Sequence, residues 1–131
     1  MAIHLNILIY THFYVLMNLT KKDIVSFNQQ AGEQGLLRSE SSLDFALSVS
    51  KTKKNWLYEL SYVVRCLLID HPFTDGNKRT TFLVVVYTIE EGGKNVDKDQ
   101  LLVVIHQIAS KNITHPVSIM RLLYHVIREK N

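Results

Sequence analysis

Residues 56–91 read WLYELSYVVRCLLID, then HPFTDGNKRT, then TFLVVVYTIEE. The first stretch carries Leu57, Leu60, Tyr62, Val63, Val64, Leu67 and Leu68. It is apolar nearly all round and predicts a helix from about Trp56 to Ile69. The third stretch predicts a second helix from about Asn77 to Glu91. Its Val84–Val86 run is a poor helix former taken alone, because β-branched side chains lose rotamer freedom. Length and the absence of alternation still favour a buried central helix over a strand. Gly92 and Gly93 then end it. A charged decapeptide between two buried helices must sit at one end of the core.

The residues of that decapeptide divide the work. Pro72 disfavours the helical conformation at His71, so the first helix ends there. Gly76 permits a backbone conformation or a close approach that a side chain would block. The next helix starts near Asn77, and its first-turn N–H groups have no partner within the helix. They make an anion site, strengthened by the positive end of the helix. Lys78 and Arg79 add charge beside it, Arg79 as a fork and Lys78 as a point charge. His71 can take a proton near neutral pH. Asp75 is a hard oxygen ligand suited to Mg²⁺ that carries phosphates. Phe73 has the opposite character and should point into the core. Base, metal handle, anion nest and cation together suit attack on a phosphorus centre. Both hydrolysis and group transfer remain open from these residues alone.

Outward from this centre the chain reads as further helices. Thr20 can cap a helix with Asp23 three residues on, and Ile24, Phe27 and Ala31 follow at helical spacing. Gly32 and Gly35 make a loop through Ser39. Ser41 or Ser42 would cap a short helix carrying Leu43, Ala46 and Leu47. The Lys51–Lys54 run reads as a solvated loop, with a phosphate or partner contact as the sharper alternative. Asp97 to about Ser110 is a helix with Leu101, Leu102, Ile105 and Ile108 on one face. Pro116 opens a last helix at its first turn, with Ile119, Leu122, Leu123, Val126 and Ile127 inward. The sum is an all-α, single-domain bundle of about six helices, with at most a short β flap or an N-terminal strand.

Residues 1–18 form a separate apolar arm ahead of the helical domain at 19–131. The first 17 residues contain no Lys, Arg, Asp or Glu. There is no basic start and no small-residue cleavage site, so a secretory signal fits poorly. His4, Asn6 and His12 interrupt any membrane span, which needs roughly 20 apolar residues. Partial alternation suggests a short strand or a dimer contact, and a start at Met17 is the other explanation. At 131 residues, 47% apolar and with two Pro and five Gly, the chain is excluded from disordered or collagen-like classes. A net charge of +3 permits an anionic ligand but does not imply nucleic acid. The single cysteine, Cys66, excludes an internal disulfide and lies among apolar neighbours, as a buried thiol would. A reducing, cytoplasmic setting is expected. His4, His12, His106, His115 and His125 form no metal-binding spacing. Tyr58, Tyr62 and Tyr87 are core residues or, on the sharper reading, the border of a base pocket. Asp70 could orient His71, although neighbours in a helix end seldom face each other.

The segment HPFTDGNKR at residues 71–79 resembles the signature of the Fic/Doc (Fido) family, His-x-Phe-x-Asp/Glu/Asn-Gly/Ala-Asn-x-Arg. The likeness is gapless over these nine residues, and the helical pattern around them extends the resemblance over residues 19–128. It implies an α-helical bundle with the motif between two central helices. Gly35-Leu36-Leu37 resembles the target-facing flap of that family. The family moves a nucleotide-derived group onto a protein hydroxyl, most often AMP from ATP. Doc-type members instead move the γ-phosphate onto a threonine of the translation elongation factor that delivers aminoacyl-tRNA. They are toxins restrained by a small antitoxin. By this resemblance His71 is the general base, Phe73 the core anchor and Asp75 the Mg²⁺ ligand. Gly76 and Asn77 form the phosphate nest, Arg79 is the phosphate clamp, and Lys78 adds a second contact. AMP-transferring members continue Gly-Asn-Gly-Arg-x-x-Arg. Here Lys78 replaces the second Gly, and Phe82 replaces the second Arg. Both departures lean toward the Doc type, while Gly76 leans back. The family's self-inhibiting pattern, Ser/Thr-x-x-x-Glu-Gly/Asn, is absent, since Tyr87 stands at the required place before Glu91-Gly92. Any inhibitor is therefore expected to be a separate chain. The expected cofactors are ATP and Mg²⁺; neither nucleic acid nor a membrane is an expected partner.

Overall fold

The computed structural model describes residues 19–49 and 55–130. The apolar arm and the Lys51–Lys54 run therefore lie outside the described residues. Six helices are described: α1 (Lys21–Gln30), α2 (Glu40–Val49), α3 (Trp56–Arg65), α4 (Asn77–Glu91), α5 (Lys98–Ser110) and α6 (Pro116–Tyr124). A π-helical turn, Cys66–Asp70, continues α3. Two short strands, β1 (Asn95–Val96) and β2 (Ile127–Arg128), pair antiparallel, with Asn95 opposite Arg128 and Val96 opposite Ile127. The all-α bundle with a minimal β element is thus as the sequence predicts.

Caps set the helix starts. The Thr20 hydroxyl accepts the Asp23 N–H at 3.2 Å, and the Asp23 carboxylate accepts the Thr20 N–H at 2.9 Å. This is the capping box expected from the sequence. Asn55 caps α3 through the N–H groups of Leu57 and Tyr58. Asp97 caps α5 through Gln100, and Pro116 occupies the first turn of α6. Lys21 reaches from α1 to Glu40 and Asp44 at 3.2 and 2.9 Å, fastening α1 beside α2.

The core runs along α3, the π turn and α4. Leu60, Val63, Leu67, Val84, Val85 and Ile89 have no solvent exposure, and Leu101, Ile108, Ile119 and Leu123 close over them. Burial of this kind stabilises by about 1.5–3 kcal/mol per large aliphatic side chain. It overrides the weak helix propensity of the valine run. Among the described residues no helix is long and apolar enough to cross a membrane.

Three boundaries differ from expectation. The single helix expected over 56–69 changes to π geometry after Arg65. The second helix starts at Glu40, ahead of the Ser41 or Ser42 cap expected. The last helix stops at Tyr124, and Ile127 goes to β2, where it pairs with Val96. Val126 remains buried, as its apolar character required.

Cys66 is buried, and burial pushes its thiol up to about 11 from an ordinary 9.0. The fold keeps this proton where the unfolded chain loses it, so stability is whole below pH 9.0 and declines as pH rises toward about 11. Replacing Cys66 by Ala is expected to flatten that decline by the equivalent of about one proton. Urea melts of both proteins across this range check it, and parallel pH profiles would contradict it.

Candidate functional site

The site forms where the π turn stops and α4 starts. His71 ends the turn in a left-handed conformation, φ 51° and ψ 65°. Pro72 behind it bars further helix. The His71 N–H still bonds the Cys66 carbonyl at 3.1 Å. Phe73 then turns inward and is fully buried, as expected of an anchor. Asn77 fixes the return. Its Oδ1 accepts the Phe73 N–H at 3.1 Å, and its Nδ2 donates to the Phe73 carbonyl at 3.0 Å. Gly76 is the N-cap of α4 with φ 78°, and it brings no capping side chain. The open first turn anticipated from the sequence is therefore present. Asp75 Oδ1 accepts the Gly76 N–H at 2.7 Å. Asp70 faces Arg65 at 3.5 Å, in keeping with the expectation that neighbours at a helix end seldom face each other.

The α1–α2 loop supplies the opposite wall. Leu37 bridges Phe73 in antiparallel fashion, and the Thr74 N–H donates to the Leu36 carbonyl at 3.1 Å. The Pro72 carbonyl accepts the N–H groups of Arg38 at 2.6 Å and Ser39 at 3.1 Å. The segment resembling a flap thus lies along the charged turn. Between the two walls is a cavity of about 460 Å³. His71, Asp75, Gly76, Asn77, Lys78 and Arg79 all line it, with Thr74 and Arg38. Every residue expected to carry chemistry therefore meets in one cleft.

A second cavity of about 390 Å³ adjoins the first across Lys78 and Arg79, which line both. Its walls include Phe82, Leu83, Leu102 and Ile105, with Gln30, Ala31 and His106 completing them. This is a largely apolar chamber. Tyr58, Tyr62 and Tyr87 line neither cavity. The Tyr58 and Tyr62 hydroxyls bond each other at 3.0 Å, which raises the Tyr62 pKa, and Tyr87 stacks on Phe27 at 5.3 Å. Tyr58 and Tyr62 are half-buried packing residues, whereas Tyr87 is exposed and so is not the core residue expected.

Three site residues had no place in the sequence analysis: Asn28, Glu33 and Arg38. Asn28 has no solvent exposure. Its Nδ2 donates to the Asp75 carbonyl at 2.9 Å and to the Thr80 hydroxyl at 3.1 Å. Its Oδ1 accepts the Gly35 N–H at 2.9 Å. A polar residue four positions after buried Ile24, on the same helix face, was the available signal. Glu33 bears on Arg79. Arg79 Nη2 donates to Glu33 Oε1 at 2.7 Å, and Nη1 donates to the Ala31 carbonyl at 2.5 Å. A Cβ built on Gly76 would fall 2.6 Å from Glu33 Cγ. The glutamate stem therefore lies over the glycine, and its carboxylate rests on the guanidinium. The corner expected to take an anionic oxygen is already satisfied by one from the chain itself.

Asp75 is exposed, with one oxygen given to the Gly76 N–H. Among the described residues no three His, Cys, Asp or Glu side chains gather as a metal cage. A single carboxylate with room for phosphate oxygens and water fits Mg²⁺, which seldom takes an all-protein cage.

Replacing Asn28 by Ala leaves the Gly35 N–H and the Asp75 carbonyl without this partner. The expected cost is about 2–4 kcal/mol in urea unfolding, with Asn28→Asp no better, since a carboxylate cannot donate. A loss under about 1 kcal/mol would remove Asn28 from this role. Glu33→Gln keeps the shape and removes the competing charge. It is expected to tighten binding of ATP or tripolyphosphate by about threefold to tenfold in a calorimetric titration. Unchanged affinity would show that Arg79 takes no part in anion binding. Comparison of the chain with family models, with curated proteins and with solved structures finds no match, which leaves the residues of the cleft to carry the assignment of function.

Proposed function

We propose that the chain is a Doc-like protein transferase that moves the γ-phosphate of ATP onto a Thr or Ser hydroxyl of another protein. One observation carries this reading: His71, Asp75 and the open first turn of α4, with Lys78 and Arg79, line a single cleft. A base, a carboxylate and a concentration of positive charge in that space suit displacement at phosphorus.

The residues divide the reaction as follows. His71 takes the proton of the incoming hydroxyl. The hydroxyl oxygen bonds to phosphorus as the bond to the ADP oxygen breaks, and ADP leaves with that electron pair. The first-turn N–H groups of α4, with Lys78 and Arg79, stabilise the charge on the phosphate oxygens. Arg79 exchanges the Glu33 carboxylate for phosphate to do so. Asp75 would hold Mg²⁺, which offsets the charge of the polyphosphate. The apolar chamber beyond Lys78 and Arg79 suits a flat nucleoside base.

The target class is a translation elongation factor, and a small antitoxin is the proposed inhibitor; both rest on the resemblance at residues 71–79. Lys78 and Phe82 favour phosphate transfer, since Phe82 lines the apolar chamber and has no charge for a phosphate. Gly76 keeps AMP transfer as the alternative.

Incubation with a cell extract and ATP labelled at either the α or the γ position separates the two. Label on protein only from the γ position is expected; label only from the α position would establish AMP transfer instead. A non-catalytic binding module would bind ATP and transfer neither. His71→Ala is expected to abolish transfer while leaving ATP affinity within severalfold, and full activity in that variant would end the assignment of the base.

A further inference from the structure

We infer that Arg38, from the loop opposite the motif, is the positioning residue that holds His71 in its working conformation. The inference deepens the transferase reading and rests on His71 being its base. His71 is left-handed, a conformation that residues with a Cβ adopt at a cost. Something must hold it there. Pro72 only excludes the right-handed helix at that position, and the His71 N–H bond to the Cys66 carbonyl holds the amide side of the residue, not its carbonyl. The Arg38 guanidinium donates to the His71 carbonyl at 3.1 Å. The Arg38 main-chain N–H also donates to the next carbonyl, that of Pro72, at 2.6 Å. One residue thus grips both carbonyls of the strained corner.

The grip is not redundant with the rest of the loop. The bonds from Ser39 to Pro72 and from Thr74 to Leu36, and the Leu37–Phe73 bridge, all lie on the Pro72 side of the corner. The Arg38 side chain is the loop's contact to the His71 carbonyl itself. Arg38 is exposed and stands on the cleft wall together with His71. Burial therefore does not account for its ordered contact; the carbonyl does. Motion of the 32–39 loop would reach the His71 carbonyl directly through this side chain, and Pro72 through the main-chain bonds. A loop latch alone would predict something different: loss of the guanidinium would leave the His71 backbone unchanged, because the remaining bonds keep the loop docked.

The test compares wild type with Arg38→Gln and Arg38→Lys. Lysine keeps a charged donor able to reach the carbonyl; the glutamine amide also donates but is uncharged and stops at the level of the arginine Nε, short of the Nη2 that makes the bond. The first readout is the ¹³Cα and ¹³Cβ shift pair of His71, which distinguishes left-handed from extended backbone without any substrate. The second is transfer of γ-label from Mg-ATP at saturating ATP, with ATP affinity measured alongside. Arg38→Gln is expected to move the His71 shifts out of the left-handed range. It should also lower the saturated rate at least tenfold, with ATP affinity changed less than twofold. Arg38→Lys should restore the shifts and most of the rate. Left-handed shifts and a full rate in Arg38→Gln would overturn the inference, as would an equal loss in both variants. If Arg38→Gln does not fold, Arg38→Lys decides: retained shifts and rate support the grip, and loss of either refutes it. If wild type transfers no label, the transferase reading fails, and the His71 shifts alone decide the role of Arg38.

Discussion

A carboxamide with no access to solvent joins the parts of the cleft. Asn28 projects from α1 and binds the Gly35 N–H, the Asp75 carbonyl and the Thr80 hydroxyl at once. Those partners belong to the α1–α2 loop, the charged turn and α4. Thr80 passes the connection on by donating to the Gly76 carbonyl at 2.8 Å. Buried polar groups left without partners cost more than most single contacts gain. The three segments therefore have one mutual arrangement in which all of these groups are satisfied. The apolar core supplies most of the stability, while Asn28 selects the geometry of its polar end.

Charge explains why that end is held open rather than packed shut. The first turn of α4 has no capping side chain, and Lys78 and Arg79 follow at once. Such a concentration of positive potential needs an anion. Glu33 meets the need from within, its carboxylate on Arg79 and its stem over Gly76. Gly76 tolerates that approach because it has no Cβ and sits at φ 78°. Arg79 remains half exposed, at 54% of its side chain, so the pair is a solvent-screened contact rather than a buried lock. The polyphosphate proposed for this cleft would bring more charge to the same corner than one carboxylate does.

The helices and the charged turn were legible in the sequence because their signals are local. Apolar periodicity, Thr20 with Asp23, Pro116 and the glycine pair at 92–93 each act within a few residues. The same locality explains the misses. Ile127 looks helical by spacing but pairs with Val96, a residue 31 positions away. The π turn at Cys66–Asp70 has no compositional mark, and it shifts the register of the chain just before His71. Glu33 and Arg38 stood in the loop that runs from Gly32 through Ser39, where sequence offers no distance to anything else.

By itself the sequence determined the bundle, the end of the helix at Pro72, the buried anchor at Phe73 and the uncapped start of α4. Each follows from steric limits or burial preferences of residues close along the chain. The tertiary structure alone decided that Asn28 ties the turn to α1, that Glu33 satisfies Arg79, and that Arg38 holds the His71 carbonyl. Those bonds span 47, 46 and 33 positions. Their geometry exists only after α1, its loop and α4 have packed, because a hydrogen bond depends on distances of a few tenths of an ångström that no local pattern encodes.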